Sequence, residues 1–209
     1  SYDSQNAGSR TLGVNSGYVV NDGNGGGNYT VTTQTASGTI DKAALTLAAV
    51  TGTKTYDATT TSGGAVSITG LQGSATVGSL SKSYDSQNAG SRTLGVNSGY
   101  VVNDGNGGGN YTVTTQTASG TINKAALTLA AVTGTKTYDS TTTSSGAVSI
   151  TGLQGLDTVG SLTQSYDSKN AGSRTLTVNG GYVVNDGNSG GNYTVTTQTA
   201  SGTIDKAAL

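Results

Sequence analysis

Gly17–Ile40, GYVVNDGNGGGNYTVTTQTASGTI, constrains the fold of this chain more than any other stretch. It returns unchanged at Gly99–Ile122, and again at Gly181–Ile204 with Ser189 in the place of Gly107, 82 residues on each time. A fixed period of this length marks a tandem array, in which each unit buries part of its surface against its neighbours. Extending the alignment divides the chain into the C-terminal half of a repeat (1–41), two complete repeats (42–123 and 124–205) and the start of another (206–209). These ends predict an excerpt of a longer array. Between the complete repeats, Lys42–Lys82 and Lys124–Gln164 differ at six positions, among them Ala58/Ser140, Ser74/Leu156, Ala75/Asp157 and Lys82/Gln164.

Within a repeat the apolar residues alternate with polar ones, and β-branched residues are frequent. That pattern predicts strands at Leu45–Val50, Thr53–Tyr56, Ala65–Leu71, Thr76–Tyr84, Arg92–Val96, Tyr100–Val102 and Tyr111–Ile122, separated by Gly, Asn and Ser clusters. No segment carries a helical period. The candidate core of the first complete repeat includes Leu45, Leu47, Val50, Tyr56, Val66, Ile68, Tyr84, Leu94, Val101, Val102, Tyr111 and Ile122. About seven short strands in this length point to an all-β chain of tandem small β-sandwich (Ig-like) domains. β-Grasp-like or β-solenoid repeats are the alternative. The join Thr39–Leu45 has no glycine or proline, so one domain runs straight into the next, and an elongated rod is expected.

Composition narrows function. Cys, His, Pro, Met, Trp, Phe and Glu are all absent, only 10% of residues are charged, and the net charge is −1. A chain with so little positive charge has no field to hold a phosphate backbone, so nucleic acid is not an expected partner. No apolar run is long enough for a membrane-spanning helix, and no membrane insertion is expected. Without His, Cys or Glu, general acid–base or nucleophilic work would fall to Asp, Lys, Tyr, Ser or Thr, repeated in every unit, and the expectation is not an enzyme. No cofactor is expected.

Two motifs carry a family resemblance. Ala44–Thr60, ALTLAAVTGTKTYDATT, resembles the opening of the YDG repeat of bacterial haemagglutinin-like adhesins, and Asn110–Leu127, NYTVTTQTASGTINKAAL, resembles the close of those repeats and of the related MBG repeats. Where the family has glycine after Tyr-Asp, this chain has Ala58 and Ser140, which argues against a turn needing a positive φ there. The resemblance implies repeats of a large, two-partner-secreted Gram-negative surface adhesin, at the bacterial cell surface or in a biofilm matrix.

The loops offer the remaining candidate chemistry. Asn21, Asp22 and Asn24, with their copies Asn103, Asp104, Asn106 and Asn185, Asp186, Asn188, are possible ligand residues. Asp22-Gly23-Asn24 opens like a calcium loop, but Thr33 stands where a bidentate acid belongs, so no metal is expected. A self-formed crosslink from Lys54 or Lys82 to an Asn would need a buried acid beside it. Tyr56 and Tyr84 are expected to pack at sandwich edges with bonded hydroxyls. Taken together these readings predict a structural stalk that extends a binding region from the cell and supports adhesion or biofilm cohesion. Its expected partners are neighbouring repeats, with lateral copies of itself or extracellular glycans as further ones. The alternative is a multivalent glycan- or mucin-binding module acting through the loops.

Overall fold

The computed structural model describes all of residues 1–209 and is all-β, with twenty-one strands and no helix. By contact the chain gathers into two compact units. Unit one joins Ser1–Val50, Ala65–Lys82 and Gly95–Thr117, and unit two joins Thr51–Gly64, Ser83–Leu94 and Ala118–Leu209.

Unit one is built on β1 (Gly8–Leu12), β2 (Ala36–Ile40), β3 (Ala43–Ala49), β6 (Val66–Thr69), β7 (Thr76–Gly78), β10 (Val101–Asn103) and β11 (Tyr111–Gln116). β1 and β2 form an antiparallel pair, Gly8 opposite Ile40 and Leu12 opposite Ala36. β3 lies between β11, parallel to it, and β6, antiparallel to it, while β7 pairs with β10. Parallel pairing of β3 and β11 is open to them because the rest of the repeat supplies the long crossover it requires. Alternation along β3 turns Leu45 and Leu47 inward, where they meet Val102 and Tyr111 in a buried cluster flanked by Val66, Leu71, Val77 and Val113.

Unit two contains β4 (Gly52–Thr55), β5 (Thr61–Ser62), β12 (Ala118–Asn123) and the greater part of β8 (Lys82–Tyr84) and β9 (Gly90–Val96), strands that form one five-stranded sheet in the order β4-β12-β9-β8-β5. It also contains β13 (Ala125–Ala130), β14 (Gly134–Thr137), β15 (Ser149–Thr151), β16 (Thr158–Gly160), β17 (Gln164–Tyr166), β18 (Gly172–Val178), β19 (Val183–Asn185), β20 (Tyr193–Gln198) and β21 (Ala200–Asp205). β13 and β20 run parallel, then β14 and β21 run parallel in a second sheet, so both strands of the pair change sheet together. That second sheet covers Ala131, Tyr166, Leu176 and Ile204. Its glycine at 202 is required by close approach: a Cβ there would lie 2.7 Å from Tyr166 Cε1 and 3.0 Å from Leu176 Cδ1.

The strands on either side of each repeat boundary follow one another closely. Only Lys124 separates β12 from β13, and only Asp41 and Lys42 separate β2 from β3. Other expectations are corrected. Thr76–Tyr84 is not one strand but β7 and β8, broken around Ser79, which has a φ of 57°. Tyr111–Ile122 is likewise β11 and β12, broken at Thr117. Val50, Ile68 and Val101 are 44%, 37% and 51% exposed, because Val50 lies just past β3, Ile68 sits on an edge strand and Val101 points away from Val102.

The first copy of the opening stretch is corrected most. Tyr18–Val20 and the run from Tyr29 to Thr35 form no strand, although their copies are β10 and β11. Val19 is 78% exposed and Tyr29 65%, against 6% for Tyr111. β10 and β11 pair with β7 and β3, and those partners have no counterpart 82 residues upstream within the chain.

Candidate functional site: the Asn/Asp/Gly loops and the seam between repeats

Each loop opens on an aspartate whose carboxylate faces the loop's own backbone. Asp104 Oδ1 accepts N–H bonds from Asn106 and Gly108, both at 2.8 Å, and Oδ2 accepts one from Asn110 at 3.0 Å. Asp186 repeats this with Asn188, Gly190 and Asn192, and Asp22 with Asn24, Gly26 and Asn28. Hydrogen bonds from backbone amides favour the carboxylate. The amides of Gly26 and Asn24 hold Asp22 below the usual range, while at Asp104 and Asp186 desolvation pushes upward and the three amides outweigh it. Asn103 and Asn185 reach across a strand pair to Thr76 and Thr158, Asn106 and Asn188 donate to Asn110 and Asn192, and Asn21 is exposed outside any strand. Of the candidate ligand residues, the aspartates and Asn24, Asn106 and Asn188 brace the loop, while Asn103 and Asn185 bond across a strand pair and Asn21 stands apart.

The residue the loop presents is its last, Asn110 or Asn192, which sequence reasoning did not single out as a site. In unit two, Asn192 is fully buried, and its Oδ1 accepts the Ala89 N–H at 2.8 Å while its Nδ2 donates to Asn88 Oδ1 at 3.2 Å. Its backbone carbonyl accepts the Ala125 N–H at 2.9 Å. In unit one, Asn110 makes the same three bonds to Ala7, Asn6 and Ala43. One asparagine therefore ties the segment just before β9 of one repeat, or before β1, to the loop of the next. Its partner segment is braced by arginine, Arg92 donating to the carbonyls of Asn88 and Ala89.

A second contact crosses the seam in unit two. Tyr56 is 1% exposed, and its hydroxyl donates to Asp157 Oδ2 at 3.0 Å. The Tyr193 hydroxyl donates to the same oxygen at 2.6 Å, and the two rings meet edge to face at 5.4 Å. Burial, and then the bond to Asp157, push the Tyr56 phenol up to about 12, and Tyr193 is raised for the same reasons. The sequence did carry a signal for this site, since Asp157 is a carboxylate that appears where the previous repeat has Ala75.

The Lys-Thr-Tyr-Asp turn preceding the seam is held by its lysine. Lys54 Nζ donates to Asp57 Oδ1 at 2.6 Å and to the Thr59 carbonyl at 2.7 Å, and it lies 5.5 Å above the Tyr84 ring. In the next repeat, the bonds from Lys136 and Thr141 hold Asp139 down at about 2. Ala58 and Ser140 follow with φ of 60° and 66°, so the positive-φ turn forms without the glycine that would favour it. Lys82 is buried with its Nζ on the Val50 carbonyl at 2.6 Å. Neither lysine is bonded to an asparagine side chain.

No curated protein and no solved structure matches the chain. The YDG domain matches it twice, at residues 41–118 and 123–200, each match opening just before β3 or β13 and ending on the first residue of β12 or β21. With the greater part of its length accounted for by two such matches in tandem, the chain belongs to the YDG domain family.

Proposed function

We propose that these repeats are the stalk of an extracellular bacterial adhesin or matrix filament, holding a binding region away from the cell. The observation that supports this reading is the use of the loops: their carboxylates brace the loop backbone, and Asn192 is engaged in tying Ala89, Asn88 and Ala125 across the seam. A loop whose polar groups face inward has few left to recognise a ligand. Hydroxyl- and amide-rich strand faces keep such an array in solution with little charge. Titrating the full chain against a panel of host and bacterial glycans tests the stalk role, and no saturable binding is expected. Saturable binding that disappears when Asn103–Asn110 is replaced by a short turn would overturn it. The second reading, multivalent glycan binding, draws on a cleft of about 670 Å³ lined by Tyr182, Asn185, Asp186 and Ser189, where a sugar would find an aromatic ring beside polar groups.

A further inference from the structure

Self-modification needs no catalytic side chain, and the loops carry its reactants. An asparagine followed by glycine is open to attack on its side-chain amide by the next backbone nitrogen, because glycine has no Cβ to obstruct the approach. In the two complete repeats only Asn106-Gly107 and Asn179-Gly180 have this order. The sequence ranks them together, and the structure separates them. Asn179 Oδ1 accepts the Ser165 hydroxyl at 2.7 Å and its Nδ2 donates to Thr163 Oγ1 at 3.0 Å, so turning its Cγ toward Gly180 breaks two bonds. Asn106 is exposed, and its side chain makes one bond, from Nδ2 to Asn110 Oδ1 at 3.1 Å. The N–H groups of Asn106, Gly108, Gly109 and Asn110 are all bonded within the loop, whereas that of Gly107 bonds no protein acceptor. Gly107 is itself exposed, and a Cβ there would meet nothing within 4 Å.

We propose that Asn106 is a self-modification site, converted through the Gly107 amide to aspartate and isoaspartate, and that the conversion loosens the tie between Asn110 and the segment before β1. The Gly107 nitrogen, losing its proton to water or hydroxide, bonds to Asn106 Cγ, and the side-chain nitrogen leaves as ammonia. Water then opens the resulting succinimide at either carbonyl, leaving aspartate, or isoaspartate in which the main chain runs through Cβ and Cγ. Either product removes the Nδ2 donor from Asn110 Oδ1, the oxygen that also accepts the Ala7 N–H at 2.7 Å. A carboxylate then faces that oxygen, in a loop already built on Asp104. Isoaspartate also lengthens the main chain inside the loop, which shifts the Gly108 and Asn110 amides off Asp104. The loop of the next repeat has the same braces with Ser189, at a φ of 53°, in the place of Gly107, at 62°. There a Cβ stands beside the attacking nitrogen, and the step is slowed.

The conversion stands whether or not the repeats form a stalk. The test is to hold the full chain at mildly alkaline pH, cut samples after lysine and arginine, and follow the peptides by mass spectrometry. Thr93–Lys124 should gain the mass of an acid at position 106 severalfold faster than Thr175–Lys206 gains it at Asn179 or Asn188. Fragments carrying Asn123 distinguish the first peptide from the copy that ends in Asp41-Lys42. In denaturing urea Asn106 and Asn179 should react alike, since it is the fold that pins Asn179. Gly107→Ser, which copies a loop the chain already forms, should slow conversion at Asn106 to the rate at Asn188. Hydrogen exchange at Ala7 should be faster in the Asn106→Asp chain than in the unsubstituted one. Equal conversion at Asn106 and Asn179 in the folded chain, a difference between them that survives urea, a Gly107→Ser chain that reacts as fast, or unchanged exchange at Ala7 would overturn it.

Discussion

Two kinds of residue sit in conformations or environments that their side chains do not favour. Ala58 and Ser140 hold φ near 60°, a region that costs an L-residue about 1–2 kcal/mol. Glycine removes that strain but loses more entropy on folding, so Ala58→Gly and Ser140→Gly are each expected to raise stability by a net ~0.5 kcal/mol. Urea unfolding of each variant checks this, and a loss of stability in both would show that the turn is not strained. Lys82 is the other. Its ammonium is buried on one carbonyl, whereas Gln164, its counterpart, accepts the Val132 N–H at 2.7 Å and donates to the Val132 carbonyl at 2.9 Å and to Ser144 Oγ at 3.0 Å. A neutral amide that both donates and accepts fits a buried site better than a charge that only donates. Lys82→Gln is therefore expected to stabilise the chain by about 1 kcal/mol in the same unfolding experiment. A lower urea midpoint would refute it.

At the scale of elements, the sequence made the regular strands legible and hid the breaks between them. Leu45 and Leu47 alternate on β3 as the pattern predicts, because a strand with one buried face writes its period into the sequence. The break between β7 and β8 occurs at a serine, Ser79, in the left-handed region, and no glycine or proline announces it. The loops looked like ligand sites because Asp and Asn are both metal ligands and loop braces, and composition does not separate the two. Only geometry shows that Asp186 bonds three amides of its own loop. The seam was hidden for a different reason: Tyr56 and Asp157 are 101 residues apart and meet only in the fold. Their pairing gives a pH prediction. The Tyr56 phenol titrates near 10 in the unfolded chain and about 12 in the folded one. A raised folded value means that its contribution is complete below pH 10 and is lost as pH climbs from 10 to 12. Stability of the unsubstituted chain should therefore fall across that window more steeply than that of Tyr56→Phe, as read from urea midpoints between pH 9 and 12. Parallel slopes would place the phenol outside the seam.

For the molecule as a whole, identical sequence does not mean identical structure. Gly17–Ile40 and Gly99–Ile122 share every residue, yet the first forms one strand, Ala36–Ile40, and the second forms three. Intrinsic strand propensity is equal in the two copies, so the difference is set by partners: β3 and β7 meet β11 and β10, and nothing in the chain offers the same to Tyr29–Thr35 or Tyr18–Val20. Strand propensity is largely the fit of a side chain to neighbours on a pleated surface, and without those neighbours the backbone stays solvated. In an array built this way, stability belongs to the contacts between segments more than to each segment. Amide hydrogen exchange makes this measurable, since protection reports local opening. Amides of Val101–Asn103 and Tyr111–Gln116 are expected to exchange orders of magnitude more slowly than those of Val19–Asn21 and Tyr29–Gln34, the same residues 82 positions earlier. Mass spectrometry after proteolysis separates the copies through peptides that extend into differing flanking sequence. Equal protection in the two copies would mean that the stretch folds on its own residues, and that neighbouring segments are not what holds its strands in place.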